Sequence, residues 1–113
     1  MKHDALVVLW KTGDKFNAEE LVIPYTLNSK LKNWWKEVTL INWGSASRLI
    51  SEDKELQERV KELKEAGVIL QACKACADKL GVTETLESLG IEVIYMGEPL
   101  TKYIKEGKHV LTL

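Results

Sequence analysis

"ILQACKACADKLGV", residues 69–82, decides how the rest of the chain is read. An apolar run ends in Cys73. A second cysteine, Cys76, follows three residues later, in what reads as a short helix closed by Gly81. Strand, then cysteine, then helix is the start of a β-α unit, and the segments on either side repeat that rhythm. Residues 5–10 ("ALVVLW"), 37–43 ("EVTLINW"), 67–72 ("GVILQA"), 91–95 ("IEVIY") and 109–113 ("HVLTL") read as strands. The first three lack clean in-and-out alternation, as strands covered on both faces of a parallel sheet do.

Amphipathic stretches lie between them. The clearest is 52–65, "EDKELQERVKELKE". Its Leu56, Val60 and Leu63 form one apolar stripe, and its charges, including Glu55 and Arg59 at i,i+4 spacing, form a solvated face. An earlier helix is expected from a cap at Asn17, with Glu20 completing a capping box, to about Lys32, kinked or broken at Pro24. Short helices are expected over 74–80, 83–89 and 99–106, each followed by a glycine. Alternating β and α units at this spacing predict a single α/β domain over 1–113. Its form is a three-layer α/β/α sandwich around a five-stranded parallel sheet with right-handed crossovers.

Composition narrows the function. The 113 residues are 45% apolar and 29% charged, with 16 basic and 17 acidic residues and a net charge of −1. No basic block or stripe marks a nucleic-acid binder. The apolar run near the start is too short for a membrane span and lacks the features of a signal peptide. The expected setting is therefore cytoplasmic, where a cysteine pair is more often reduced, catalytic or metal-binding than a structural staple.

Open parallel sheets bind ligands beyond the carboxyl ends of their strands. Trp10, Lys11 and Gly13 follow the first strand, Trp43, Gly44 and Ser45 the second, Cys73 the third, and Tyr95, Met96 and Gly97 the fourth. The glycines are turn residues first, and none belongs to a nucleotide-binding pattern. Trp10 and Trp43 are packing residues first, with a second reading as apolar walls around the cysteine. Adjacent Trp34 and Trp35 cannot both face inward, which suggests an oligomer contact for one of them.

Cys73 falls at the cap position of the helix it precedes. A thiolate there would face unpaired backbone N–H groups, with Lys74 and Lys11 nearby, an arrangement that favours the ionised and nucleophilic form. Four readings remain open. The cysteines are inert packing; or they bind a metal, which only His3 and His109 would complete and from the wrong sheet edge; or they form a dithiol redox pair; or they handle sulfane sulfur. A thioredoxin-like dithiol is disfavoured because two β-α units precede the pair.

The order of these elements resembles the DsrE-like family of small intracellular proteins, which includes sulfur-relay subunits. The resemblance is carried by "ALVVLW", by "EVTLINWGSASRLI", by "AGVILQACKACADKLGV" with Gly81 eight residues after Cys73, and by "GIEVIYMGEPLTKYI". It covers essentially the whole chain. It implies strand order 4-3-2-1-5, homo-oligomers that are often trimers or hexamers, and sulfur-carrier or sulfurtransferase work in some members, with protein donors and acceptors of sulfur. Cys73 matches the sulfur-accepting cysteine of the family; Cys76 has no assured counterpart there.

The expected function is that of a sulfur carrier in which Cys73 forms a persulfide and Cys76 assists release, without metal or organic cofactor. The expected pocket takes in Trp10, Lys11, Trp43, Gly44, Lys74 and Met96. The alternatives are a non-catalytic oligomeric module that binds a small ligand or a partner, and a Cys73–Cys76 redox protein. Neither nucleic acid nor membrane is an expected partner.

Overall fold

Five strands form one parallel sheet in the order β4-β3-β2-β1-β5 in a computed structural model that describes residues 4–113. They are β1 (Ala5–Trp10), β2 (Glu37–Asn42), β3 (Ile69–Cys73), β4 (Glu92–Ile94) and β5 (His109–Thr112). Trp10 pairs with Asn42, Asn42 with Ala72, and Cys73 with Ile94. All carboxyl ends therefore share one edge, and the residues that follow each strand are brought together there.

The helical elements are α1 (Lys15–Asn17), a π-helical segment (Ala18–Val22), α2 (Ile23–Leu31), α3 (Ser45–Glu52), α4 (Lys54–Ala66), α5 (Lys74–Leu80), α6 (Thr83–Ser88) and α7 (Gly97–Lys105). They divide unequally between the two faces of the sheet. Strands β1 to β4 step across the sheet in one direction, and right-handed crossovers set every helix of such a series on one face. Only the connection from β4 to β5 steps back past β1, so among the described residues α7 alone covers the second face.

The packing follows this division. On the first face Leu6, Val8 and Trp10 of β1 meet Val22, Ile23, Ile50, Leu56, Val60, Leu63, Ala77 and Leu86. On the second face Val7 and Ile41 meet Cys73 and Met96, with Leu100 and Tyr103 of α7 over them. Successive strand residues point to opposite faces, which is why Val7 and Val8, both fully buried, belong to different cores. Removing a side chain such as Leu63 would cost about 2–5 kcal/mol, the usual range for a buried Leu→Ala change.

Two local expectations are corrected. The first helix is capped by Asp14, whose carboxylate accepts the Asn17 N–H at 2.8 Å, so Asn17 lies within the first turn. Pro24 does not break the helix. A proline ring collides with the carbonyl four residues back, here Glu20. The π-helical turn just before it, where the Ile23 N–H reaches Ala18 O, widens the backbone and lets the chain continue as helix to Leu31.

The α4 helix begins at a cap on Asp53, whose Oδ1 accepts the Leu56 N–H at 2.9 Å. The expected Glu55–Arg59 pair is replaced: Arg59 lies 3.4 Å from Glu62, and Lys15 reaches both Asp53 at 2.9 Å and Glu55 at 3.5 Å. On the second face a partly buried polar chain anchors α7. The Tyr103 hydroxyl donates to Gln71 Oε1 at 2.9 Å, and Gln71 Nε2 donates to Glu92 at 3.0 Å.

Candidate functional site

The end of β3 delivers Cys73 into the second-face core. Its residue is 4% exposed, among Val7, Ile41 and Met96. It is the cap residue of α5, with extended backbone and no side-chain capping hydrogen bond. The thiol faces no open edge because the chain after β4 folds over it: Met96, 1% exposed, and α7 close that side.

Cys76 lies one turn into α5 and is half-buried. It packs against the same core as Cys73 and also lines a surface cleft of about 240 Å³. The cleft runs between two helix faces. Cys76, Lys79 and Leu80 contribute from α5, and Arg48 of α3 faces them with Gly44 and Ser45 at the start of that helix. Residues three and four apart share a helix face, so each helix presents its group together. Both cysteines are free thiols.

Gly44 turns the chain from β2 into α3 with φ +66° and ψ −138°, a positive-φ conformation used essentially by glycine alone that costs an ordinary residue roughly 1–3 kcal/mol. A side chain there would meet nothing within 4 Å, so only the backbone conformation demands glycine. The buried hydroxyl of Ser47 donates to Asn42 Oδ1 at 2.8 Å and joins the first turn of α3 to the end of β2. The Ser45 hydroxyl donates to Lys11 O at 3.1 Å, holding the same turn to the loop after β1.

The six expected pocket residues do not form one pocket. Trp43 and Met96 pack in the core that holds Cys73, and Gly44 lines the cleft that holds Cys76. Trp10 faces the opposite side of the sheet, is 1% exposed, and donates its indole N–H to Thr12 O at 3.0 Å, as a packing residue does. Lys11 is exposed in the loop after β1 and is not part of the cleft lining.

Lys74 lies 3.1 Å from Asp78. Its pKa is raised, first by that hydrogen bond and then by the Asp78 charge. Asp78 is held below the usual carboxylate range, first by the Thr83 hydroxyl and then by Lys74. The Lys74 charge is thus matched within α5 itself.

Arg48 and Lys79 were not singled out by the sequence pattern. Lys79 was legible as sharing the Cys76 face, three residues on. Arg48 follows Gly44 by four residues, but its approach to α5 depends on packing between two helices and leaves no local signal.

His109 packs beside Trp35, with ring centroids 5.2 Å apart and planes tilted by 53°. His3 lies outside the described residues. Among the described residues no three His, Cys, Asp or Glu side chains group as metal ligands do. Nor is any described helix long and apolar enough to cross a membrane. Trp34 is 52% exposed beside Tyr25, whereas Trp35 packs on the first-face core.

The chain is similar to a structurally characterised conserved protein of unknown function, BT1422 from Bacteroides thetaiotaomicron. The two are 37% identical, with a TM-score of 0.94 over 97% of this chain and 95% of that one. The ychN protein from E. coli shares the fold at 19% identity, with a TM-score of 0.66 over 98% of this chain and 99% of that one. No curated protein sequence matches. The sequence profile of the DsrE/DsrF-like family matches residues 1–113. The match runs over the whole chain, and the chain belongs to the DsrE/DsrF-like family.

Proposed function

We propose that this protein is a sulfur carrier in which the Cys73–Cys76 pair holds sulfane sulfur and Cys73 forms the stored persulfide. The family is linked in general to sulfur relay. The observation that carries the reading is the pairing of a sheltered thiol with a reachable one: Cys73 is buried, and Cys76, in the next turn, borders both the Cys73 core and the surface cleft.

In the transfer step a cysteine thiolate attacks the outer sulfur of a donor persulfide. A new S–S bond forms, the donor S–S bond breaks, and the donor leaves as a thiolate. No net oxidation occurs. A persulfide at Cys73 would sit among hydrocarbon, which limits its loss to thiols in solution. Met96 and α7 pack over Cys73 on one side, and Cys76 is the neighbouring thiol that borders the cleft.

Exposed apolar side chains support assembly into a homo-oligomer, a trimer or hexamer by the resemblance. Tyr95 is 67% exposed and Ile104, on α7, 56% exposed. Donor and acceptor proteins are the further partners of this reading.

Incubation with a persulfide donor, followed by intact mass under non-reducing conditions, tests it. A gain of one sulfur atom, mapped to Cys73 or Cys76, is expected; no gain on either cysteine removes the reading.

The depth of Cys73 favours a second reading, in which it is packing and the sheet edge binds a small ligand or a partner. A Cys73→Ser variant with undiminished sulfur loading would support that alternative.

A further inference from the structure

Helices α2 and α4 lie on the same face of the sheet and differ on their solvent sides. Charged residues run along the outer face of α4, whereas from Leu21 to Leu31 the only charged side chain is Lys30. Val22, Ile23, Thr26 and Ser29 are buried on the inner side of this segment. Its outer side is apolar as well. Pro24, Leu27 and Leu31 follow one another at helical spacing, and Leu21 is a neighbour on the same surface. Leu21 is 46% and Leu31 58% exposed. The half-exposed Trp34 ends the patch, its ring 6.0 Å from that of Tyr25. Helices that are apolar all round are normally covered all round, and α2 is covered on one side.

The two ends of the patch carry opposite charge. Glu20 stands at its start and Lys32 at its end. Both are exposed and, among the described residues, neither makes an ion pair. A second α2 laid antiparallel on the first sets Glu20 of each copy at the Lys32 end of the other. It also brings opposite ends of the two helix dipoles side by side. A parallel arrangement would set like charges together. The patch is thus complementary to itself under a two-fold axis, the symmetry of an isologous contact. An exposed tryptophan beside aliphatic side chains, with charges at the rim, is also the composition of such contacts.

We infer that α2 is an isologous interface between two copies of this chain, packed antiparallel over Leu21, Leu27, Leu31 and Trp34. It lies on the opposite side of the sheet from Ile104 of α7, so it is separate from a contact made through α7. It does not depend on the sulfur-carrier reading. In an assembly that has a further interface, loss of this one halves the assembly.

The full chain is followed by sedimentation equilibrium over a range of concentrations at low salt. The wild type is expected to self-associate, and Leu31→Glu to halve its mass. Leu31 is exposed, so the fold should survive, which far-ultraviolet dichroism checks. Glu20→Lys and Lys32→Glu should each weaken association by about tenfold, since two symmetry-related attractions become repulsions. Glu20→Lys/Lys32→Glu in one chain should restore it. The two positions lie about 18 Å apart along their own helix, too far to pair within one chain, so restoration reports contact between copies. A wild type that stays monomeric overturns the inference and leaves the surface to a different partner. An assembly indifferent to Leu31→Glu overturns it too. If Leu31→Glu dissociates the protein but the combined charge variant is no better than the single ones, the antiparallel two-fold arrangement is wrong.

Discussion

Cys73 and Cys76 stand one helical turn apart and occupy opposite conditions: Cys73 is 4% exposed among Val7, Ile41 and Met96, while Cys76 opens onto a cleft between α3 and α5. A nucleophile needs access, and a reactive product benefits from shelter. The two positions supply one each, on a rigid junction of strand and helix.

That difference predicts alkylation in two phases. A small alkylating reagent should modify Cys76 first and Cys73 much more slowly, since a buried residue reacts only when the structure opens. Peptide mapping at successive times checks this. The fast phase should vanish in Cys76→Ser and survive in Cys73→Ser. Equal rates at both sites would contradict the described burial.

Asp53 joins the cap of α4 to Lys15. Its pKa is lowered, first by the Leu56 N–H and then by Lys15. Asp53→Ala should cost about 0.5–2 kcal/mol in denaturant unfolding at neutral pH. A carboxyl with a lowered folded pKa contributes stability above its unfolded pKa of ~3.9, and that contribution is lost as pH falls through the folded value. The gap between wild type and variant should therefore stay constant above about pH 5 and narrow as the pH drops below the ordinary carboxylate range.

Tyr103 is a polar tie of α7, the helix that covers the second face. Tyr103→Phe keeps the ring and removes the bond to Gln71, leaving the Gln71 carbonyl without that donor. A loss of about 1–3 kcal/mol is expected. Because α7 covers Cys73, faster amide exchange in α7 and faster alkylation of Cys73 should accompany it. Unchanged Cys73 reactivity would show that α7 is not its cover.

Gly44→Ala tests the turn behind the cleft. No atom lies within 4 Å of the added methyl group, so the cost should be backbone strain alone, about 1–3 kcal/mol, without loss of fold. Thermal unfolding with retained far-ultraviolet dichroism checks it. A much larger loss would mean that the turn is packed more tightly than described.

The fold was largely legible because parallel strands buried on both faces are written as apolar runs, and all five lie where "ALVVLW", "EVTLINW", "GVILQA", "IEVIY" and "HVLTL" suggested. The stop at Gly81 and the stripe of Leu56, Val60 and Leu63 were equally plain. The cap at Asp14 was missed because Asn17 with Glu20 offered a rival capping pattern, and only the competition of real hydrogen bonds decides between them. At the site, the sequence placed Cys73 at a strand end but not its depth, which depends on Met96 and α7 folding over from more than twenty residues away. Side-chain direction separated Trp10 from Trp43 by the parity of their strand positions, so one lies on each face. Arg48 joins the cleft only through helix packing.

The most direct test of the account is the cyanide-labile sulfur carried by the protein after exposure to a persulfide donor and removal of excess donor, measured for wild type, Cys73→Ser, Cys76→Ser and the double variant. The account predicts close to one labile sulfur per wild-type chain, long-lived in the presence of free thiol, a short-lived load in Cys73→Ser, slow loading in Cys76→Ser and none in the double variant. A wild-type protein that carries no labile sulfur, or a double variant that carries as much as the wild type, would contradict it.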